Sequence, residues 1–173
     1  MERLILETAR LRLRYMSPED IPTLIDLWTD ADVTHFMSGP RNLVTLTCNL
    51  KETASNPLAD PYDLWPLVEK SSAKVIGHCG LLDKDVEGKI DIELVYVLVK
   101  PAWGKGYATE IALALRDYAF FTRKVPRLIA LIDPENIASE RVASKVGMLL
   151  EKETVRPGGE VRYLYALYPY TTA

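Results

Sequence analysis

Cysteine is scarce in this chain. Cys48 and Cys79 are its only two, far apart and in no CxxC or Cys/His spacing. That excludes a disulfide framework or a zinc finger and fits a reducing compartment. Long apolar runs are missing too: nothing approaches the roughly 20 residues of a membrane span. The opening MERLILETAR sets acidic residues around a three-residue apolar run, unlike a signal peptide. The expectation is a cytoplasmic protein with no membrane partner. Nor is positive charge in excess. A net charge of −3 and a pI near 5.5 argue against a general nucleic-acid binder, while leaving room for a local basic patch. Internal repeats, low-complexity tracts and linkers are absent, and no metal site is expected.

What is present is one domain's worth of ordinary globular sequence: 173 residues, 48% hydrophobic and 26% charged, enough to bury a core. The most informative stretch is 90–122. Ile90, Ile92, Leu94, Tyr96 and Leu98 alternate with Asp91, Glu93, Val95, Val97 and Val99, a strand by its period of two, with an apolar second half suited to burial on both sides. Pro101 ends it. Gly104-Lys105-Gly106-Tyr107-Ala108-Thr109 follows and opens a helical pattern through Ile111, Ala112, Leu115, Tyr118 and Ala119. Glycines at a helix start allow close backbone approach, and the free N–H groups of the first turn face outward at the positive end of the dipole. This reads as an anion site for phosphate or pyrophosphate; the alternative is a plain glycine-rich turn.

Elsewhere, Arg10–Tyr15 alternates as a half-buried strand with Leu11, Leu13 and Tyr15 inward and three arginines outward. Ser17-Pro18-Glu19-Asp20 starts a helix running to about Thr29 and burying Ile21, Leu24, Ile25 and Trp28. A loop over 30–42 leads to a threonine-rich helix from Leu43 to about Ser55. Leu64–Glu69 and Val75–Leu82 form a hairpin, and Asp83–Lys89 is a connecting turn. Arg127–Ile132 is a strand expected parallel to 90–99, because a helix makes the crossover. Asp133-Pro134-Glu135-Asn136 caps a helix with Ala138, Val142 and Val146 on one face, stopped by Gly147. Met148–Thr154 and Val161–Leu167 close the chain as a hairpin. The expected architecture is α/β (α+β), one domain over 1–173, with a mixed, mostly antiparallel central sheet flanked by helices.

Trp103 to Glu110, Asn136-Ile137-Ala138-Ser139 and Lys145-Val146-Gly147-Met148, in this order after the strand, resemble the GCN5-related N-acetyltransferases (GNAT), and more narrowly their RimJ/RimL-like branch. The opening arginine strand and the closing hairpin extend the resemblance over nearly the whole chain. It implies acetyl-CoA as cosubstrate in a V-shaped opening between two central strands, and acetyl transfer to an amine. Gly104, Lys105, Gly106, Tyr107, Ala108 and Thr109 would then hold the CoA pyrophosphate. Main-chain groups of Val97, Leu98 and Val99 would hold the pantetheine, with Asn136 and Ser139 near the thiol. Trp103 and Ala108 depart from the family's Arg/Gln-x-x-Gly-x-Gly pattern as that branch does.

Direct acetyl transfer needs a base, oxyanion donors and an acid for the thiolate. Glu93 resembles the family's base; otherwise it is a solvated or ion-paired strand carboxylate. The family's tyrosine acid falls on Ala143, so Ser139 is the nearest substitute, unless it is a simple helix cap. The N–H of Val97 or Leu98 suits the oxyanion. His78 reads as a satisfied core or edge residue rather than a base, and His35 as a weak candidate for the acceptor site. Cys79 has no neighbour to make it a thiolate. Tyr163 and Tyr165 read as packing residues, with the acceptor cleft as their other reading. The acceptor itself is open, the acidic balance leaning toward a cation. Exposed closing strands allow a homodimer. A dinucleotide fold is disfavoured, since Thr109 stands where the third glycine belongs and only one βαβ unit exists; a P-loop fails at Gly106. A catalytically silent CoA-binding sensor or interaction module is the reading from another class.

Overall fold

In the computed structural model, which describes residues 3–169, eight strands form one sheet in the order β1-β2-β3-β4-β5-β6-β8-β7. The strands are β1 Leu4–Glu7, β2 Leu11–Arg14, β3 Leu64–Glu69, β4 Lys74–Val86, β5 Lys89–Leu98, β6 Leu128–Ile132, β7 Leu149–Val155 and β8 Val161–Leu167. All neighbours pair antiparallel except β5 and β6, which are parallel as the helical crossover requires. The helices are α1 Ile21–Thr29, α2 Leu43–Ser55, α3 Tyr107–Asp117 and α4 Ile137–Val146. Among the described residues no helix is long and apolar enough to cross a membrane.

Alternation along β5 divides the core. Leu94 and Leu98 join the cluster of Leu11, Leu67, Ile111 and Leu115 beneath α3 and α4. Val97 joins Leu24, Leu27, Trp28 and Leu50 beneath α1 and α2, with Val95 packed against them. The run is apolar on both phases because helices cover both faces, and each fully buried leucine contributes roughly 1.5–3 kcal/mol.

Several expectations need correction. β1 has no counterpart in the sequence reading: four residues with Leu4 half exposed give too little periodicity to separate from a tail. The turn expected over Asp83–Lys89 shrinks to Glu87 and Gly88, both at positive φ (55° and 84°), the pair of left-handed residues a tight hairpin demands. Asp83, Lys84 and Asp85 are strand residues whose charge resembled a loop. Arg14 does not face water: its side chain is 11% exposed and it grips Asp20, itself 3% exposed, in a fork. On β5, Ile90 is 61% exposed while Asp91 is buried, because Arg127 turns inward to pair with Asp91 at 2.6 Å. Ala138 is exposed; the inner face of α4 runs through Ala143 and Val146. In α1 Leu27 is buried, whereas Ile21 and Ile25 are half-buried.

Candidate active site

β5 and β6 stay in register for only two pairs, Ile92 with Leu128 and Glu93 with Ile129. Beyond them β5 continues to Leu98 and β6 to Ile132 unpaired with each other, so the sheet opens into a V. A cleft of about 270 Å³ fills this opening, lined by Glu93 to Tyr96 of β5 and Ala130 to Ile132 of β6. Side chains from both faces meet there. The α1–α2 loop supplies Phe36, Met37 and Arg41, and α4 supplies Ser139, Val142 and Ala143. A group entering from one face can therefore reach a group held on the other through the gap in the sheet.

Glu93 shares the phase of Val95 and Val97, on the α1–α2 side, and is 8% exposed. Burial raises its pKa above the ordinary carboxylate value, opposed by Lys84, Arg156 and the Leu131 main chain. Lys84 Nζ lies 3.5 Å away, too far for a close hydrogen-bonded pair. A buried carboxylate facing a cleft, with its pKa pushed upward, has the properties of a proton acceptor.

On the opposite face, the Tyr96 hydroxyl donates to Ser139 Oγ at 3.1 Å. Asn136 Oδ1 accepts from Ser139 N at 3.1 Å, which fixes the first turn of α4 and with it the serine. Burial pushes the Tyr96 phenol to about 12, so it remains a neutral donor at any working pH. Sequence reasoning placed Tyr96 on the strand face of Ile92 and Leu94 and gave it no role; the signal that could have found it is a lone hydroxyl on the central strand where family tyrosine chemistry was missing at Ala143.

The glycine turn lies outside this cleft, on the open surface at the start of α3. Gly104 and Gly106 hold φ of 72° and 79°, a region other residues rarely enter, and a Cβ on Gly104 would meet nothing. Gly106 caps α3, and the first helical bond runs from Glu110 N to Gly106 O. The N–H groups before it have no acceptor within the helix, the arrangement that suits an anion at a helix start. Arg10 fixes the turn by donating to Lys105 O at 2.9 Å while paired to Glu110 at 2.7 Å. The Tyr107 side chain points away to Glu69, leaving Tyr107 only its main chain to offer.

Alternation redistributes the main-chain groups of β5. Val99 N is bonded to Ile76 O of β4, and by the same phase the groups of Val97 point to β4 as well. The groups of Tyr96 and Leu98 face the gap, where Trp103 Nε1 takes the Leu98 carbonyl at 2.9 Å. Of the two main-chain N–H groups named from sequence for the oxyanion, Leu98 is the one that faces the gap.

The other sequence candidates lie apart from the cleft. His78 accepts from Trp28 Nε1 at 3.0 Å, and burial depresses its pKa to about 4, so it is a neutral core residue. His35 is exposed and stacks edge-on against Phe36. Cys79 is fully buried, its thiol pushed up to about 12, with no means of becoming a nucleophile. Tyr165 is core and Tyr163 packs against it.

A family model described as Acetyltransferase (GNAT) domain matches residues 10–149. The chain is 36% identical over 152 residues to the uncharacterized protein YkkB of Bacillus subtilis (strain 168), covering 87% of this chain and 88% of that one. A GNAT-family acetyltransferase from Bacillus anthracis superposes with a TM-score of 0.79 at 25% identity, covering 97% of this chain and 98% of the other. Spermidine N-acetyltransferase from Vibrio cholerae, solved with CoA and spermine, has the same fold at a TM-score of 0.76 and 14% identity, over 93% and 96% of the two chains. With the V-shaped opening, the glycine turn and this match over most of its length, the chain belongs to the GNAT acetyltransferase family and is an acyltransferase.

Proposed function

We propose that the protein is an acetyl-CoA-dependent N-acetyltransferase of the RimJ/RimL-like kind, transferring acetyl directly to a primary amine. The observation that carries this reading is the cleft through the sheet, with a buried carboxylate on one face and a tyrosine–serine pair on the other. The Vibrio relative was solved with CoA, and here the glycine turn offers N–H groups suited to a pyrophosphate. The acetyl group arrives as a reactive thioester. Glu93, on the acceptor side, takes a proton from the acceptor's ammonium, directly or through water, and the freed amine lone pair attacks the thioester carbonyl. The Leu98 N–H faces the oxygen on which negative charge develops. For the departing sulfur the tyrosine–serine pair reverses: Ser139 Oγ turns its own proton to the Tyr96 oxygen, and the single phenol proton, released from Ser139, is donated toward the sulfur. With its pKa about 12 against roughly 8.5 for an ordinary thiol, Tyr96 stabilises the thiolate rather than fully protonating it.

The alternative of a silent CoA sensor drew its support from Ala143; Tyr96 places a hydroxyl at the same end of the cleft and weakens that support. Calorimetric titration with acetyl-CoA, beside NAD as control, combined with turnover of an amine panel, tests the reading. Binding of acetyl-CoA alone together with acetylation supports it; binding without any turnover favours the sensor. Tyr96→Phe is expected to lower kcat about ten- to a hundred-fold, the worth of one hydrogen bond to a charged group. Its acetyl-CoA affinity should be unchanged. An undiminished kcat would remove Tyr96 from the mechanism.

A further inference from the structure

The acceptor side of the cleft carries more cationic groups than its carboxylates answer. Arg162, nearly buried, takes two of them: Nη1 donates to Asp133 at 3.1 Å and Nη2 to Glu160 at 3.0 Å. Glu160 is also held by Ser38 Oγ at 2.7 Å, which ties the α1–α2 loop to the β7–β8 hairpin across the cleft. Lys84 lies against Glu93. Among the described residues this leaves two guanidinium groups lining the cleft, Arg41 and Arg156, in contact with no carboxylate.

Neither is a loose surface charge. Arg41 is half-buried, donates from Nη1 to the carbonyls of Met37 at 2.7 Å and Gly39 at 2.9 Å, and lies over the Trp28 ring at 5.0 Å. Two carbonyls and an aromatic face fix its direction, Glu160 acts on its charge only through space, and its remaining N–H groups are open to another acceptor. Arg156, half-buried at the start of the β7–β8 turn, acts electrostatically on Glu93. A carboxylate base flanked by partly desolvated guanidiniums suits an acceptor presenting an amine to one and an anion to the others. A polycationic acceptor would meet repulsion at close range in a medium of reduced dielectric.

We infer that Arg41 and Arg156 form an anion subsite, and that the acceptor is an amine bearing a carboxylate or phosphate near the amino group. This rests on the reading of the cleft as the acceptor site of an acetyltransferase. It runs opposite to the net charge of −3, whose surplus lies elsewhere on the surface, and opposite to the polyamine seen with the Vibrio relative.

The test is steady-state acetylation of matched amines: several amino acids against their amides, phosphoethanolamine against ethanolamine, and spermidine. The expected result is a kcat/KM about ten-fold or more higher for the anionic member of a pair, as a charge-assisted guanidinium contact implies. The amino-acid and phosphoethanolamine arms show which anion is taken. Arg41→Gln and Arg156→Gln should each raise KM for the anionic member far more than for its neutral partner, with acetyl-CoA binding by calorimetry intact. Arg156 donates to none of the loop carbonyls that Arg41 holds, so its variant separates the anion subsite from loop folding. Preference for amides, ethanolamine or spermidine, or an equal loss on both members in both variants, overturns the subsite while the acetyltransferase reading stands. Binding of acetyl-CoA with no turnover of any amine overturns both.

Discussion

Glu93→Gln is expected to lower kcat/KM for acetyl transfer by about 10²- to 10⁴-fold, the range for loss of a positioned general base. Glutamine keeps the shape and the neighbours while removing the proton acceptor, and binding of acetyl-CoA should be unaffected. The pH profile supplies the second readout. Burial raises the Glu93 pKa, so the active carboxylate form is lost as pH falls through that raised value, and the wild-type rate should show an acidic limb above the ordinary carboxylate range. In the variant this limb should vanish. Stability should move the other way. A carboxylate whose folded pKa lies above its unfolded one penalises the native state at neutral pH, so the glutamine variant should unfold at an equal or higher temperature. A variant as active as wild type across pH, with the acidic limb intact, would assign the base elsewhere.

Asp20→Ala is expected to cost about 3–5 kcal/mol of stability, the scale for breaking a buried ion pair from one side. Asp20 accepts from both Arg14 Nη atoms at 2.7 Å and from Ser17 N at 2.8 Å, so its loss breaks the fork from one side in a buried setting and uncaps the turn leading into α1. Burial alone would raise its pKa, but Arg14 and the Ser17 N–H outweigh it and hold the carboxyl below the ordinary value. With the folded pKa depressed, this stability is present above the ordinary carboxylate pKa and is lost as pH falls through the lower folded one. Urea unfolding at neutral pH should show the full difference between wild type and variant, and the gap should narrow in acid. The paired variant Arg14→Met/Asp20→Leu should recover part of the loss, because neither charge of the fork is then buried opposite a missing one. Urea midpoints that coincide for Asp20→Ala and wild type would show the pair to be idle.

The elements legible in the sequence were those whose physics is local. Period two gave β5, the serine–proline start gave the entry to α1, and Gly147 gave the end of α4, where it holds φ of 95°. The glycine turn was legible because Gly104 and Gly106 occupy backbone conformations that side chains disfavour. Elements escaped where local signal and environment disagreed. Asp91 and Arg127 carry no local mark of burial, yet they bury each other, each depending on a partner 36 residues away. The insertion of β8 between β6 and β7 leaves no mark in either strand, since both read as halves of one hairpin.

The same division holds for the site. By itself the sequence determined a mixed sheet with helices on both sides, a glycine turn opening α3 and a carboxylate on the central strand, because alternation, glycine conformation and helix capping act over a few residues. Only the tertiary structure decided where β5 and β6 part, that Tyr96 meets Ser139 43 residues on, and that Ser38 meets Glu160 across 122 residues. Those contacts depend on how helices and strands pack, and the ionisation of Glu93 depends on the burial that packing creates. Spacing along the chain records which face of an element is apolar; it does not record which polar group waits on the other side.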